Sequence, residues 1–253
     1  MNATTPIKSV DTAFRLIEFI KAQNGARPGE VVDALDLPSS TVSDYLVSLR
    51  QNGYLVREGS EYRIGLRFLE LGDHARNYRN VYEVGKPKVH ELANDTGELV
   101  HLSVEENGLG VIIHEVEGRS AVSLDTYVGR RVEMHCTALG KAMLSIMPED
   151  RVHEIIDQHG LPAIKESTIT DRDELFDNLR TVREQGYATS LGERIPELGC
   201  IAAPVKNDET GTVFGALSMC LPMTRMEDLS TDSDLPLAVR QMANRIELDL
   251  LYR

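Results

Sequence analysis

The sequence predicts an α+β protein in two parts: a small helical head closed by a β-hairpin, and a larger domain of helices around an antiparallel sheet. Three observations predict it. Helical periodicity repeats three times before residue 52 and gives way to two short alternating strands. A helical connecting stretch comes next. Beyond it, strand-like and helix-like segments are mixed rather than strictly alternating, which favours an antiparallel sheet with helices packed on it. Charge divides at the same place. Residues 1–68 balance Lys8, Arg15, Lys21, Arg27, Arg50, Arg57, Arg63 and Arg67 against Asp11, Glu18, Glu30, Asp33, Asp36, Asp44, Glu58 and Glu61. The whole formal charge of -13 therefore lies beyond residue 68, and two parts so different in charge suggest different partners.

The elements can be justified in chain order. "IKSVDTAFRLIEFIKA" places Val10, Ala13, Phe14, Ile17 and Ile20 on one helical stripe, with Ser9 as the expected cap. "RPGEVVDALDL" is a short second helix offering Val31, Val32, Ala34 and Leu35. "PSSTVSDYLVSLRQNG" is a third, capped by Ser39 or Ser40, with Val42, Leu46 and Leu49 inward and Gly53 as its stop. "YLVRE" and "YRIG" pair about "GS". Helix, short helix, tight turn, helix and hairpin is the winged helix-turn-helix layout.

"LRFLELGDHARNYRNVYEVGKPKVHELANDTG" reads as a connecting helix and a further helix, broken near "GKP". Strands are expected at "ELVHLSVEE", "GVIIHEVE" and "AVSLDTY", with "NGLG" turning the first pair. Helices are expected at "TALGKAMLSIM", "PEDRVHEIIDQHG" and "DRDELFDNLRTVREQG". Strands "CIAAPVKN" and "VFGALSMCLP" flank the turn "DETG", and "DLPLAVRQMANRIELDLLY" closes the chain. The expected domains are 1–66, a linker helix 67–80, and 81–253.

Composition excludes several classes. No apolar run approaches the roughly 18 residues that span a bilayer, and the first residues lack the features of a signal peptide. A cytoplasmic location and no membrane partner are expected. The three cysteines, Cys136, Cys200 and Cys220, are an odd number without close spacing, so no disulfide framework is expected. Phosphate-loop, dinucleotide, serine-hydrolase and metalloprotease motifs are absent. Adjacent His135 and Cys136 would point apart on a strand, which does not suit a thiolate–base pair. A metal cluster of His135, Cys200 and Cys220 is conceivable, but buried cysteines usually serve as small hydrophobes. The chain is expected to be no enzyme and to need no cofactor.

The head is read as binding double-stranded DNA. The opening turns of its third helix supply Ser39, Ser40, Thr41, Ser43, Asp44 and Tyr45. Hydroxyls meet bases or phosphates, and a carboxylate accepts from a cytosine amino group. Arg50, Arg57 and Arg63 suit backbone contacts, or equally surface ion pairs. In the larger domain, "GCIAAPV" and "GALSMC" carry small residues that let a ligand approach closely. Ser218 and Cys220 share a face by the strand period, and Cys200, on the other strand, is a further candidate to face the pocket. Ala138 and Leu139 open a helix whose free amides favour an anionic group.

Six stretches then identify a family resemblance. "IKSVDTAFRLIEFI", "LDLPSSTVSDYLVSLRQNGYL" and "YRIGLRFLELG" resemble the helix-turn-helix, wing and linker start of the IclR-type transcriptional regulators. "MHCTALGKAMLS", "GYATSLGERIPELGCIAAPV" and "GALSMCLP" resemble that family's effector-binding domain. The resemblance implies a winged helix-turn-helix joined by a linker helix to a GAF-like α+β effector-binding domain. It also implies operator DNA bound as a homodimer or homotetramer, and a small organic effector such as a carboxylate, aromatic acid or sugar derivative. Carried over through these motifs, the effector pocket would be lined by Ala121, Leu124, Val132, Ala138, Leu139, Ser190, Leu198, Cys200, Ser218 and Cys220. Two positions depart from the family pattern: Asp44 stands where an arginine or another large residue is usual, and Ser190 where many members carry aspartate. With only seven lysines among 27 basic residues, the composition resembles that of salt-accumulating archaea. Two rival readings remain: a sensory module working through protein contacts, and a thiol enzyme using Cys200.

Overall fold

A computed structural model describes residues 7–122, 126–207, 209–227 and 234–252. It divides into two compact units, Met1–Ala75 and Arg76–Arg253.

In the first unit, α1 (Lys8–Ala22), α2 (Pro28–Leu35) and α3 (Ser39–Gln51) precede β1 (Leu55–Glu58), β2 (Glu61–Ile64) and α4 (Arg67–Asn77). Leu16, Ile20, Ala26, Val31, Val42, Leu46, Leu55 and Tyr62 form its core, and burial of each large apolar side chain contributes about 1.5–3 kcal/mol. The buried face of α1 is Thr12, Leu16, Ile17 and Ile20. Val10 and Phe14, expected inward, are exposed, because the stripe through Leu16 and Ile20 is the one that meets α2 and the hairpin. Pro38, not Ser39 or Ser40, occupies the cap position of α3. Ile7, not Ser9, does so for α1. Proline fits there because the first N–H groups of a helix have no intrahelical acceptor. Arg27 N donates to Glu30 Oε2 at 2.7 Å at the start of α2. The three-residue turn to α3 passes through Asp36 at φ 50°, a left-handed conformation that aspartate tolerates.

In the second unit, α5 (Asn80–Thr96) leads to β3 (Leu99–Glu106), β4 (Leu109–Glu117) and β5 (Arg131–Glu133). Then come α6 (Ala138–Ile146), α7 (Glu149–His159), α8 (Arg172–Gln185), β6 (Ala188–Leu191), β7 (Leu198–Asn207), β8 (Thr212–Pro222), α9 (Met223–Glu227) and α10 (Leu235–Leu251). The six strands are antiparallel in the order β5-β4-β3-β8-β7-β6. Asn107 (φ 55°) and Gly108 (φ 79°) turn β3 into β4; left-handed pairs of this kind match the twist of a hairpin.

Strand alternation sorts the side chains into two layers. Ile201, Ala203, Leu217 and Met219 pack with Val84, Val89, Leu92, Val239 and Ile246 of α5 and α10. Ala202 and Ala216 face Leu139, Met143, Ile155, Leu175 and Leu179 of α6, α7 and α8.

Four expectations are corrected by this fold. The helical break falls at residues 78–79, whereas α5 runs through Pro87; burial of Val84, Val89 and Leu92 on the sheet outweighs the one missing ladder bond. Strand "AVSLDTY" is not formed in its described residues, and β5 takes the edge instead. His135 and Cys136 lie on the turn before α6, not on a strand. Cys200 and Cys220 are bonded to each other, because hairpin pairing of β7 with β8 brings together residues 20 apart.

Candidate functional site

Two places gather the functional candidates, one in each unit. On the head, α3 exposes Ser39, Ser40, Ser43, Asp44 and Arg50, while Thr41 is half-buried. Tyr45 is half-buried against the head's core. The exposed positions form one polar face because Val42 and Leu46 hold the opposite face inward.

On the hairpin, Arg57 is exposed, with its Nε donating to Gly59 O at 3.0 Å and its guanidinium 5.8 Å from the Tyr62 ring. Arg63 is differently employed. Its Nη1 donates to Asn24 O at 2.7 Å, and it pairs with Glu58 at 3.0 Å and Glu61 at 3.2 Å. Ala26 and Tyr62 exchange backbone hydrogen bonds beside it, at 3.0 and 2.8 Å. Arg63 thus fastens the hairpin to the loop between α1 and α2.

In the second unit, a cavity of about 60 Å³ lies between the sheet and the start of α6. Val132, Ala138, Leu139, Ser190, Leu198, Cys200, Ser218 and Cys220 line it, as do His101, Thr126, Thr137 and Arg194. Ala121 is not among the lining residues. Its N–H is turned to Gly118 O, so the carry-over from the family motif does not place it at the wall. Leu124 lies outside the described residues.

The polar groups of the wall are unequally committed. Ser190 Oγ donates to Cys136 O at 3.2 Å. His101 Nε2 meets Glu115 Oε2 at 2.9 Å, and Thr126 Oγ1 donates to the same oxygen at 2.6 Å. The hydrogen bond from His101 holds the Glu115 carboxyl below its usual range, against the opposing effect of burial. Among the described residues, Ser218 Oγ is buried without a hydrogen-bond partner. Such a group costs about 1–3 kcal/mol unless something meets it. Thr137 caps α6, accepting from Gly140 N at 3.3 Å, and the helix start, Thr137, Ala138 and Leu139, lines the cavity. Arg194 reaches the cavity with its Nε 4.0 Å from Glu133. A cation, a helix N-terminus and a free hydroxyl around one small space are what a carboxylate requires.

The conceivable metal set does not assemble. His135 Nε2 is held by Pro162 O at 3.1 Å, and His135 lines a different hollow from Cys200 and Cys220. Burial, followed by the charges of Glu133 and Glu193, pushes the Cys136 thiol up to about 12. That cysteine is a packed hydrophobe rather than a nucleophile.

Similarity to known proteins divides at the same point in the chain. The IclR helix-turn-helix domain pattern matches residues 9–59, and the bacterial transcriptional regulator IclR C-terminal pattern matches residues 74–248. The chain belongs to the IclR family of transcriptional regulators. An IclR-family relative from Halobacterium salinarum, the "Probable HTH-type transcriptional regulator ArcR", is 32% identical over 96% of this chain and 94% of its own. The HTH-type transcriptional regulator XynR of Escherichia coli is 28% identical over 88% and 89%. Among solved structures, the Thermotoga maritima IclR shares the fold at a TM-score of 0.76 and 23% identity, over 96% of this chain and 98% of its own. An IclR homolog from Microbacterium hydrocarbonoxydans, complexed with 4-hydroxybenzoate, does so at 0.80 and 23%, over 97% and 100%.

Within this IclR chain, sequence reasoning missed His101, Thr126, Thr137 and Arg194. His101 sits on an apolar strand, and only its pairing opposite Ser218 brings it to the cavity. Arg194 had a signal: it is the single base in "GERIPELGC", a stretch that otherwise carries only carboxylates as charges.

Proposed function

We propose that this regulator binds operator DNA through the exposed face of α3, and that its cavity takes a small carboxylate effector. The single observation that carries the effector reading is Ser218 Oγ, buried and unpartnered in a cavity shared with Arg194 and the start of α6. The complex of the Microbacterium homolog with 4-hydroxybenzoate supports the same chemistry. The protein works as a homodimer or homotetramer in the cytoplasm, without catalysis. The names of its relatives, regulators or a repressor, support the absence of catalysis. Small carboxylates, 4-hydroxybenzoate among them, should raise the melting temperature, and no shift with any of a broad set would end the effector reading.

The DNA reading has its own test. Replacing Ser40 and Thr41 by alanine is expected to weaken specific binding to the protein's upstream region by about 1–3 kcal/mol for each base that goes unread. Melting should be little changed, since Ser40 is exposed and Thr41 only half-buried. A mobility-shift assay with unchanged affinity would place base reading on another surface.

Salt should matter in an unusual way. The head carries no net charge over residues 1–68, and Arg63 is already paired within it. Few phosphates are then neutralised, and affinity should fall only shallowly with KCl. The acidic second unit should gain stability as salt screens its self-repulsion. A steep affinity loss, or full stability in dilute buffer, contradicts the salt-adapted reading.

A further inference from the structure

We infer that Cys200 and Cys220 form a reversible dithiol–disulfide modification site within the cavity, closed by a small hydroperoxide and served by His101 as proton acceptor. The inference uses the geometry of the cavity and is independent of which effector occupies it.

Four features carry it. Cys200 on β7 and Cys220 on β8 are direct partners in the ladder, bonded through sulfur with Cα atoms 4.2 Å apart. Strand pairing alone holds the two residues together, so the bond opens and closes without moving either strand far. Both residues line the cavity, Cys200 also touching the layer beneath α6, so a solute that enters the cavity meets them. His101 Nδ1 lies 4.0 Å from Cys220 Sγ, the outer limit for a sulfur hydrogen bond. Its Nε2–H is directed at the Glu115 carboxylate, which leaves Nδ1 as the acceptor. Finally, the cavity offers free space of about 60 Å³ beside the two sulfurs, enough for a small oxidant such as hydrogen peroxide.

The chemistry balances in two steps. With both cysteines reduced, the Cys220 proton passes to His101 Nδ1, and the thiolate attacks one oxygen of HOOH. A sulfur–oxygen bond forms, the oxygen–oxygen bond breaks, and the departing hydroxide takes the proton to leave as water. Cys200 sulfur then attacks the sulfenic acid at Cys220. A sulfur–sulfur bond forms, and the hydroxyl leaves with the Cys200 proton as a second water. In sum, two thiols and one peroxide give one disulfide and two waters, with two electrons passing from sulfur to oxygen. Adjacent Cys200 makes the second step fast and keeps Cys220 from further oxidation. Closing the bond removes two S–H groups from the cavity wall, so oxidant and effector act on one surface.

The test reads thiol state and so stands apart from effector binding. Full-length protein is reduced with dithiothreitol, freed of it, treated with hydrogen peroxide, alkylated and mapped by mass spectrometry. Expected is a Cys200–Cys220 bridge that dithiothreitol reopens under native conditions, with Cys136, on the same cavity but kept protonated by burial, alkylated far more slowly. His101→Gln should slow bridging roughly tenfold or more at neutral pH. The gap should close toward about pH 9, where a free thiol ionises unaided; a merely structural role would not give that convergence. Cys200→Ser provides a second reading: a sulfenic acid should accumulate at Cys220 and be trapped by dimedone. Cysteines that stay alkylatable after peroxide, a bridge that dithiothreitol cannot open in the folded protein, or trapping at Cys200 in Cys220→Ser but none at Cys220 in Cys200→Ser would overturn the inference.

Discussion

Lys141→Met should destabilise the protein by about 3–5 kcal/mol, a large part of a typical domain's stability. Lys141 is 2% exposed on α6, and its Nζ meets Glu193 Oε1 at 2.5 Å; Glu193 is 7% exposed. Among the described residues the other carboxylate oxygen, Oε2, has no hydrogen-bond partner. Methionine matches the volume of lysine but leaves that carboxylate buried and uncompensated. The loss is therefore electrostatic rather than one of packing. Urea unfolding measures it, and Lys141→Met with Glu193→Leu should recover most of it, since removing both charges removes the penalty. A loss under about 1 kcal/mol for the single variant would mean that water already solvates the pair. The pair also bears on ligand binding: Glu193 precedes Arg194 and Ile195, both on the cavity wall. Thr168 Oγ1 holds the same loop by donating to Glu193 O at 2.7 Å.

Ala138→Leu is expected to abolish the melting-temperature rise produced by small carboxylates while operator affinity stays within about twofold of the parent, under 0.5 kcal/mol. Ala138 is the first residue of α6 and is 1% exposed against the cavity. Three added carbons would occupy much of a space of about 60 Å³. Overpacking costs about 1–3 kcal/mol, less than the roughly 5–15 kcal/mol that holds a typical protein folded. The proposed DNA face lies on α3, in the other unit. Differential scanning fluorimetry and a mobility-shift assay on one preparation check both halves. A variant that still responds to ligand would place the effector elsewhere. If the variant unfolds and no carboxylate shifts the parent, the space is only a tight core.

The head was legible because its signals are local. Periodicity placed α2, α3 and the hairpin, and Gly53 marked the end of α3, as its φ of 78° requires. What failed there was the choice between neighbouring stripes on α1: Phe14 and Leu16 are equally apolar, and only the position of the hairpin decides which is covered. In the second unit the strands were legible one by one, but their partners were not. The bond between Cys200 and Cys220 depends on the register of β7 against β8. The approach of His101 depends on β3 lying beside β8, residues more than a hundred positions apart. Pro87 misled for a different reason. Proline penalises an isolated helix strongly, yet α5 is held by what it buries on the sheet rather than by its own ladder.

The outermost strands of the sheet have a consequence for behaviour at high concentration. β5 has three residues and β6 four, beside interior strands of ten and eleven. β6 covers β7 only from Gly199 to Ala202. Beyond that, Lys206 N donates to Glu247 Oε1 of α10 at 2.8 Å instead of offering itself to another chain. An unpaired backbone row is a template on which a second molecule can add a strand, and short or occupied margins remove the template. Strand addition at the β6 margin is thereby disfavoured, and crowding should not extend the sheet from that side into fibres.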